Sequence, residues 1–503
     1  MEDLRGWESQ FKTMTTKAGK TYDMPTQKRF KLLRSQLGIV NKSIGDQEQV
    51  SKFRNAKLAI LKAYYDGKAY DHLKDWFKSR DTKQKSKLRS LKPPIQYNLS
   101  KTLSSRVTSK IVGKNQFAEL NLGDHPDDQE FLTVFMNSTG IQHRVTEAVR
   151  LACGIGSSLF RWEMINGGLK TEVYNAAFCY PTFDGNDDLE QVRIQYTFFD
   201  QNDRDEDNKP KEKWFRLDLT PMADIAYDNP EYDAEEPPEF EETARNEHGL
   251  GFVQAEWFKT CHRSDSIDGY SLVEDVLGFI DDLNYSLSQS ADNIEYNQNP
   301  QLAFSGPDSQ QLQGLVKGVD KAWKLGESTG TFIESSMTGF DSADRFRVKM
   351  LQDVGQITGV ILLEPEKMAS YAQSGKALTV LCQPFVDLVE ELVPSFEKSI
   401  KNVIAKMINQ TIMLQMAGQP SVMTMPQGYF PQTTEVSFKW PPVFAETNQD
   451  LQARVGVAQS ASQANLISRA TATKYIADIF NIEDPEEEAF NVDNQEQLGG
   501  GWF

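Results

Sequence analysis

The sequence predicts an α+β protein in which helices predominate. Three long segments, residues 271–297, 342–358 and 374–416, carry apolar residues at the spacing of one helix face. Residues 158–219 differ, because short runs rich in β-branched and aromatic residues alternate there with turns rich in Asp, Asn and Gly. That alternation is typical of an antiparallel meander. With 503 residues, the chain is long enough to form two or more packed regions.

Charge is divided unevenly along the chain. Residues 1–92 contain 22 Lys and Arg against 10 Asp and Glu, whereas the rest contains 32 against 62. A protein that wraps nucleic acid needs a continuous basic face, and this distribution argues against one. It predicts a protein whose surfaces meet different partners. The acidic excess is densest in residues 228–247, where three prolines also occur, so an extended, solvated connection is expected there.

Residues 271–297 are the most informative segment. Their apolar positions stay on one narrow helix stripe, and Ser271 with Glu274 matches a capping box. The rod would be about 40 Å long, and it carries acidic residues without any Lys or Arg. An acidic helix with a narrow apolar stripe needs partners on both flanks, and a ring of identical helices would supply them.

A second helix is predicted over residues 342–358, and its first residues are basic. The residues expected on its apolar face are Phe346, Met350, Val354 and Ile357. The segment between the two helices contains a strand-like run at 331–334.

The longest helical pattern covers residues 374–416, and Pro384 and Pro394 fall inside it. Proline removes a backbone donor and clashes with the preceding turn, so this helix is expected to kink. A strand is predicted at 434–440, followed by a helical tail from residue 448.

None of the motifs that carry catalysis or metal binding is complete. Residues 326–330 have the letters of a nucleophile elbow but lack the strand before it and the helix after it. The acidic runs that start at Asp184 and Asp203 lack the glycine that a calcium loop requires at its sixth position. The four cysteines lie far apart and are expected to be reduced thiols. Close backbone packing is expected at the 154–156 glycine pair. No catalytic site, metal site or cofactor is expected.

Membrane and export signals are also missing from the sequence. The apolar runs are too short for a membrane span. The first residues lack the basic-then-apolar pattern of a signal peptide, so we expect a chain that stays in the cytoplasm where it is made.

The order of the predicted elements resembles that of the portal proteins (head–tail connectors) of tailed bacteriophages, of the long-tailed-phage type. The residues that carry the resemblance are 64–67 with 95–98 and 107–113, then 250–253, then Gly269, Ser271, Glu274 and Asp275 before the first long helix, then 358–360 with 374–378, and finally 482–487. The first 45 residues and the last dozen are not covered. The order and spacing of these short elements carry the resemblance, because none of them is distinctive alone.

The resemblance implies a structural protein of the virion and not an enzyme. It implies a homo-oligomeric ring, a dodecamer, at one capsid vertex, through which double-stranded DNA is packaged and later ejected. The implied partners are the large terminase subunit, the major capsid protein, the scaffold and the head–tail adaptor or neck proteins, with no membrane. Assembly is expected in the host cytoplasm.

The resemblance also divides the chain into regions. A polar N-terminal segment covers residues 1–45. The implied regions after it are a wing (46–270), a first stem helix (271–297), a small α/β clip (298–341), a second stem helix (342–360), a tunnel loop (361–375), a kinked tunnel helix with a returning wing strand (376–448), and a helical crown with the C-terminal tail (449–503).

The candidate site residues follow from these regions. The tunnel-lining candidates are Glu274, Asp281, Asp282, Asp292 and Glu295, unless they face outer solvent. An acidic wall would let the phosphates of DNA slide past. The DNA-contact candidates are Arg345, Arg347 and Lys349, which alternatively pair with acids of a neighbouring subunit. The tunnel-loop residues are Leu362, Leu363, Glu364, Pro365, Glu366 and Lys367.

Two other classes of protein stay open at this point. A head-to-tail adaptor would also form a virion ring, although adaptors are usually much shorter. A carboxylate-dependent nuclease would use some of the many acidic residues to hold a divalent metal in a pocket.

Overall fold

Helices and strands alternate along the chain, which confirms the predicted mixture of α and β structure. The computed structural model describes residues 47–69, 96–114, 116–123, 125–165, 167–232, 239–261, 266–298, 301–305, 329–333, 338–362, 380, 382–421, 431, 433–444, 448–464, 466–480, 482 and 484–499.

Four helices and one short strand precede the first sheet. They are α1 (Gln47–Tyr65), α2 (Leu99–Ile111), β1 (Glu119–Leu122), α3 (Pro126–Thr139) and α4 (Ile141–Ile155).

Helices α2 and α4 approach each other closely because small residues lie between them. Ser104 and Thr108 are buried on α2, and each hydroxyl donates to the carbonyl oxygen one turn earlier, at 2.9 and 2.7 Å. On α4, a Cβ added at Gly154 would lie 2.5 Å from the Tyr65 ring and 3.2 Å from Ser104 Oγ. The predicted close packing at this glycine is therefore confirmed.

Two antiparallel sheets follow. Their strands are β2 (Ser157–Ile165), β3 (Gly168–Asn175), β4 (Cys179–Phe183), β5 (Leu189–Arg204), β6 (Pro210–Leu219), β7 (Ala223–Tyr227), β8 (Glu242–Glu247) and β9 (Ala255–Lys259). The smaller sheet has the order β3–β2–β9, and the larger one runs from β4 to β8 in sequence order. The strand-like runs of residues 158–219 lie in β2, β3, β5 and β6, which confirms the predicted meander.

The expectation of an extended, solvated connection over 228–247 is wrong at its end. Its last residues form β8, which pairs with β7 from Ala223 opposite Glu247 to Tyr227 opposite Glu242. Every residue of β8 is exposed, so the strand has no apolar side that a sequence pattern would reveal. Charged side chains are typical of such an edge strand, because they discourage further pairing.

Two helices flank a small strand pair in the middle of the chain. Helix α5 (Leu277–Gln298) is followed by β10 (Gln301–Ser305), and β11 (Thr329–Ile333) is followed by α6 (Thr338–Thr358). The two strands pair antiparallel, and the two helices pack against each other.

Helix α7 (Gln383–Met416) contains most of the third predicted helix. The predicted stripe is buried along its length, at Phe385, Val389, Leu392, Phe396, Ile400, Val403 and Met407. The expectation that Pro384 kinks the helix is wrong. Pro384 lies in the first turn of α7, where no helical N–H bond is needed. Pro394 lies inside a helix that stays continuous, and the kink stays a prediction.

The C-terminal part returns to the first helices and then forms a helical tail. Strand β12 (Val436–Lys439) pairs antiparallel with β1, within the predicted strand 434–440. Three helices follow: α8 (Asn448–Gln463), α9 (Arg469–Phe480) and α10 (Pro485–Gly499). The main core joins residues from α1 to β12, and inside it Trp162 Nε1 donates to Gln410 Oε1 at 2.9 Å.

Candidate functional site

The start of α5 is held by tertiary contacts and not by the predicted capping box. A 3₁₀ turn (Glu274–Val276) precedes α5, and Ser271 Oγ donates to the carbonyl oxygen of Gly154 at 2.8 Å. The same hydroxyl accepts from Val273 N at 3.3 Å. Ser271 therefore joins the start of α5 to the end of α4.

One flank of α5 lies on α1 of the same subunit. Glu274 forms an ion pair with Lys57 at 2.7 Å, and Tyr64 Oη donates to Asp281 Oδ1 at 2.8 Å. Asp281 is buried. Two of the five tunnel-lining candidates therefore already bind groups of their own subunit.

The remaining acidic candidates lie further along α5. Asp282 is half-buried, next to Asp281 in sequence but on an adjoining side of the helix. Asp292 and Glu295 belong to the backbone of α5, and their side chains lie outside the described residues.

The three basic candidates on α6 differ in their partners. Arg347 pairs with Asp344 and Lys349 with Asp353, each at 2.7 Å, along the surface of α6 itself. Arg345 is exposed and forms no ion pair or hydrogen bond with the side chains that the structure describes. Within this set, Arg345 is the cation left for an external partner.

The apolar face predicted for α6 is divided. Met350 and Val354 are buried against the rest of the subunit. Phe346 is 55% exposed and Ile357 48% exposed, so the subunit covers only the middle of the predicted apolar face. Single exposed apolar residues are common on protein surfaces. Here the two lie beside residues that are already packed on the same helix.

The chain leaves α6 through a left-handed glycine. Gly359 has φ +69°, a conformation that favours glycine after the last helical turn. Beyond it, Val360 is buried, and Arg106 donates to the carbonyl oxygen of Ile361. Of the tunnel-loop candidates, Leu362 packs partly against the core. Leu363, Glu364, Pro365, Glu366 and Lys367 lie outside the described residues.

An ion pair that the sequence did not predict joins α1 to the segment before α5. Arg54 on α1 contacts both oxygens of Asp268, at 2.6 and 3.0 Å, and donates to the carbonyl oxygens of Cys179 and Ala176 at 2.9 and 3.2 Å. Burial alone would lower the pKa of Arg54, but Asp268 outweighs it and the pKa lies above its ordinary value. The paired residues are 214 positions apart, so no local pattern reveals them.

A second buried pair fixes α7 to the smaller sheet. Lys406 Nζ lies 2.6 Å from Glu256 Oε2, and Asn402 Nδ2 donates to Glu256 Oε1 at 2.9 Å. Burial raises the pKa of Glu256, against the opposing effect of Lys406. The first pair fixes α1 to the segment before α5, and the second fixes α7 to β9.

The described part of the chain contains neither a metal-binding cluster nor a membrane-spanning helix. No three His, Cys, Asp or Glu side chains there are grouped so as to hold a metal ion. Among the same residues, no helix is long and apolar enough to cross a membrane.

Comparison with protein families matches residues 27–497 to the family described as "Phage portal protein, SPP1 Gp6-like". This match covers most of the chain, so the protein belongs to that family of structural virion components. No curated protein matches it significantly. Among solved structures, one similar chain comes from the "Virion of native gene transfer agent (GTA) particle", with 11% identity, a TM-score of 0.37, and coverage of 75% of this chain and 88% of that one.

Proposed function

We propose that this protein forms the ring at one capsid vertex through which double-stranded DNA enters the head during packaging and leaves it during ejection. The family match over residues 27–497 is the observation that carries the proposal. Membership implies an oligomeric ring in a virion. Twelve copies are the number that we propose for the ring.

The stem of each subunit would be the α5–α6 pair. Its base is fixed to α1 through Lys57 and Tyr64, so one flank of α5 is occupied by its own subunit. Phe346 and Ile357 would then pack on a neighbouring stem. Exposed apolar residues beside a rigid base are suited to contacts that form only when identical subunits meet in a closed ring.

The channel wall would be built from acidic residues of α5. Asp282, Asp292 and Glu295 are the acidic residues that we place there, whereas Asp281 is buried and Glu274 is paired. An acidic wall weakens the hold on phosphates, so the duplex can slide. Arg345 would supply the phosphate contact at the lower stem, with Arg347 and Lys349 in weaker roles because of their pairs on α6.

The ends of the stem would meet the other assembly partners. Residues 298–341, which include the β10–β11 pair, would form the clip that docks the large terminase subunit first and the head–tail adaptor later. The wing would contact the capsid protein and scaffold, residues 361–375 would form the tunnel loop, and α8 to α10 the crown.

The first experiment is the native mass of the purified full chain, together with negative-stain images of the same sample. We expect rings with a central hole and a mass near twelve times the 57.0 kDa chain. A folded, monodisperse monomer would count against the proposal.

The role of Arg345 is tested in particles assembled with an Arg345→Gln subunit. We expect rings of normal mass but less DNA retained per particle, because one phosphate contact is removed from every subunit. Lys439→Gln is the matched control, since Lys439 is exposed on β12, away from the stem. Equal DNA retention in both variants would remove Arg345 from the channel.

A further inference from the structure

A cleft rich in cations and aromatic rings lies beside α1, α2 and α4. It has a volume of about 740 Å³ and runs between the ends of α1, α2 and α4 on one side and strands β3 and β5 on the other. Tyr65, Tyr174, Phe178 and Tyr196 are half-buried in its walls. The rings of Phe178 and Tyr196 lie 5.2 Å apart and form a continuous apolar surface.

The charge of the cleft is positive, and part of it is not neutralised. Lys62 pairs with Asp66, and Arg144 pairs with Glu147. Arg150 Nε is buried and finds no hydrogen-bond partner among the described residues. A buried donor without a partner costs free energy, so an arrangement of this kind favours an incoming acceptor. The exposed Lys101 lies at the rim and forms no ion pair within the described part of the chain.

The complementary surface occurs on α10 of the same chain. Its first turn contains three consecutive glutamates, Glu486 to Glu488, and its sequence has no Lys or Arg. Phe490 is 65% exposed, whereas Ala489 is buried on the side of α10 that packs against α9. Glu486 and Glu487 precede Phe490 by four and three residues, so they share its side of the helix. An exposed aromatic ring flanked by carboxylates matches a cleft of aromatic rings flanked by cations.

We infer that the α10 face of one subunit, with Phe490 and its preceding glutamates, docks into the Arg150 cleft of a neighbouring subunit. Phe490 would stack on the tyrosine wall, and Glu486 or Glu487 would accept from Arg150 and Lys101. The inference rests on the proposed ring, because the occupant is a second copy of the chain. It adds a specific contact between the C-terminal helix and the first helices of the next subunit.

The test is a disulfide between subunits in the full-length oligomer. We expect the double variant Lys101→Cys with Glu487→Cys to form covalent dimers and larger species under mild oxidation, seen on a non-reducing gel and lost on reduction. The two single variants are controls for the native thiols. A third control pairs Glu487→Cys with Lys439→Cys, which is exposed on β12 outside the cleft.

The outcomes distinguish a failure of this inference from a failure of the proposed function. Rings of normal mass without cross-linked species would overturn the inference and leave the proposed ring intact. Cross-links only within one chain, or equally strong ones in the Lys439 control, would overturn it as well. A protein that forms neither rings nor cross-links would contradict both.

A charge exchange supplies a second measurement that does not depend on thiols. Arg150→Glu added to the cysteine pair should lower the yield of cross-linked dimer about twofold to fivefold, the effect of losing one partly exposed ion pair. Glu486→Arg added to that variant should restore part of the yield. Unchanged cross-linking in Arg150→Glu would show that Arg150 does not bind the partner.

Discussion

The body around α1, α4 and the two sheets differs from the α5–α6 pair, the proposed stem, in how its interactions are completed. In the body, the half-buried cations Arg54 and Lys406 pair with buried carboxylates of the same subunit, and the aromatic side chains Phe160, Trp162 and Phe258 are fully enclosed. In the stem, Arg345 has no partner among the described side chains, and two apolar residues of α6 face outward.

This difference separates groups that the subunit satisfies by itself from groups that are left for a neighbour in the proposed ring. Buried charges must be paired within the subunit, because each buried charge left unpaired destabilises the fold by several kcal/mol. Exposed groups on α6 carry little cost in a single chain, and in the proposed ring they would gain contacts from a neighbour. Substitutions in the body should therefore change folding stability, and substitutions on the outer stem should change assembly.

The largest expected effect is that of Arg54→Ala. It leaves the Asp268 carboxylate, 9% exposed, without its cation, and breaking a buried pair costs about 3–5 kcal/mol. The measurement is the urea midpoint of unfolding of the full chain, followed by circular dichroism. Arg245→Ala is the control, because its pair with Glu242 is 44% and 41% exposed and contributes at most about 1 kcal/mol. An equal fall of the urea midpoint in both variants would mean that the Arg54–Asp268 pair does not stabilise the fold.

Gly154→Ala tests the close approach of α4 to α1. The added methyl group would lie 2.5 Å from the Tyr65 ring, and overpacking of this kind costs about 1–3 kcal/mol. Gly456→Ala in α8 is the matched control, since no atom lies within 4 Å of its Cβ position and alanine favours a helix by up to about 1 kcal/mol. The two glycine variants should therefore shift the urea midpoint in opposite directions. A stabilising Gly154→Ala would contradict the packing argument.

Asp218→Asn should have a smaller, pH-dependent effect. Burial raises the pKa of Asp218, but Arg216 and Arg193, at 2.7 and 3.1 Å, outweigh it and hold the pKa below its ordinary value. A carboxyl group whose folded pKa is depressed stabilises the protein above its unfolded pKa, and this contribution is lost as the pH falls through the folded pKa.

The variant should therefore be less stable by about 1 kcal/mol at neutral pH, and the gap should close as acid protonates the native carboxyl group. Urea midpoints measured from neutral to strongly acidic pH check this. Asp207→Asn, on an exposed pair with Lys209, should show almost no gap at any pH. A gap for Asp218→Asn that does not change with pH would refute the electrostatic explanation.

Local periodicity accounts for the parts of the fold that the sequence predicted. The stripe of α7 and the runs of β2, β3, β5 and β6 are regular enough to be read without their partners. Strand β8 was missed because no residue on it is buried. Ser271 was wrongly predicted to cap the helix, because its hydroxyl donates to the carbonyl oxygen of Gly154, 117 positions away.

The contacts of the candidate site residues could not be read from the sequence. Sequence spacing placed Glu274 and Asp281 on the acidic rod but gave no sign that Lys57 and Tyr64 of α1 bind them. Spacing also grouped Phe346 with Met350, although only Met350 is covered by its own subunit. A helical pattern reports which residues share a face, and it does not report whether the same chain or a neighbouring one covers that face.

The smallest effect on folding is expected from Phe346→Ser, and it gives the sharpest test of the contrast between body and stem. Phe346 is mostly exposed in the single chain, so its loss should change the free energy of unfolding by no more than about 0.5 kcal/mol. The same variant should form fewer rings at a given protein concentration, measured by native mass, because the proposed contact with the neighbouring stem loses its aromatic ring. Met350→Ala, on the covered side of α6, should lose about 2–5 kcal/mol of folding stability. A different result is that Phe346→Ser unfolds much of the protein while the folded remainder assembles normally. Phe346 would then contact its own subunit, and the proposed contrast between body and stem would be wrong.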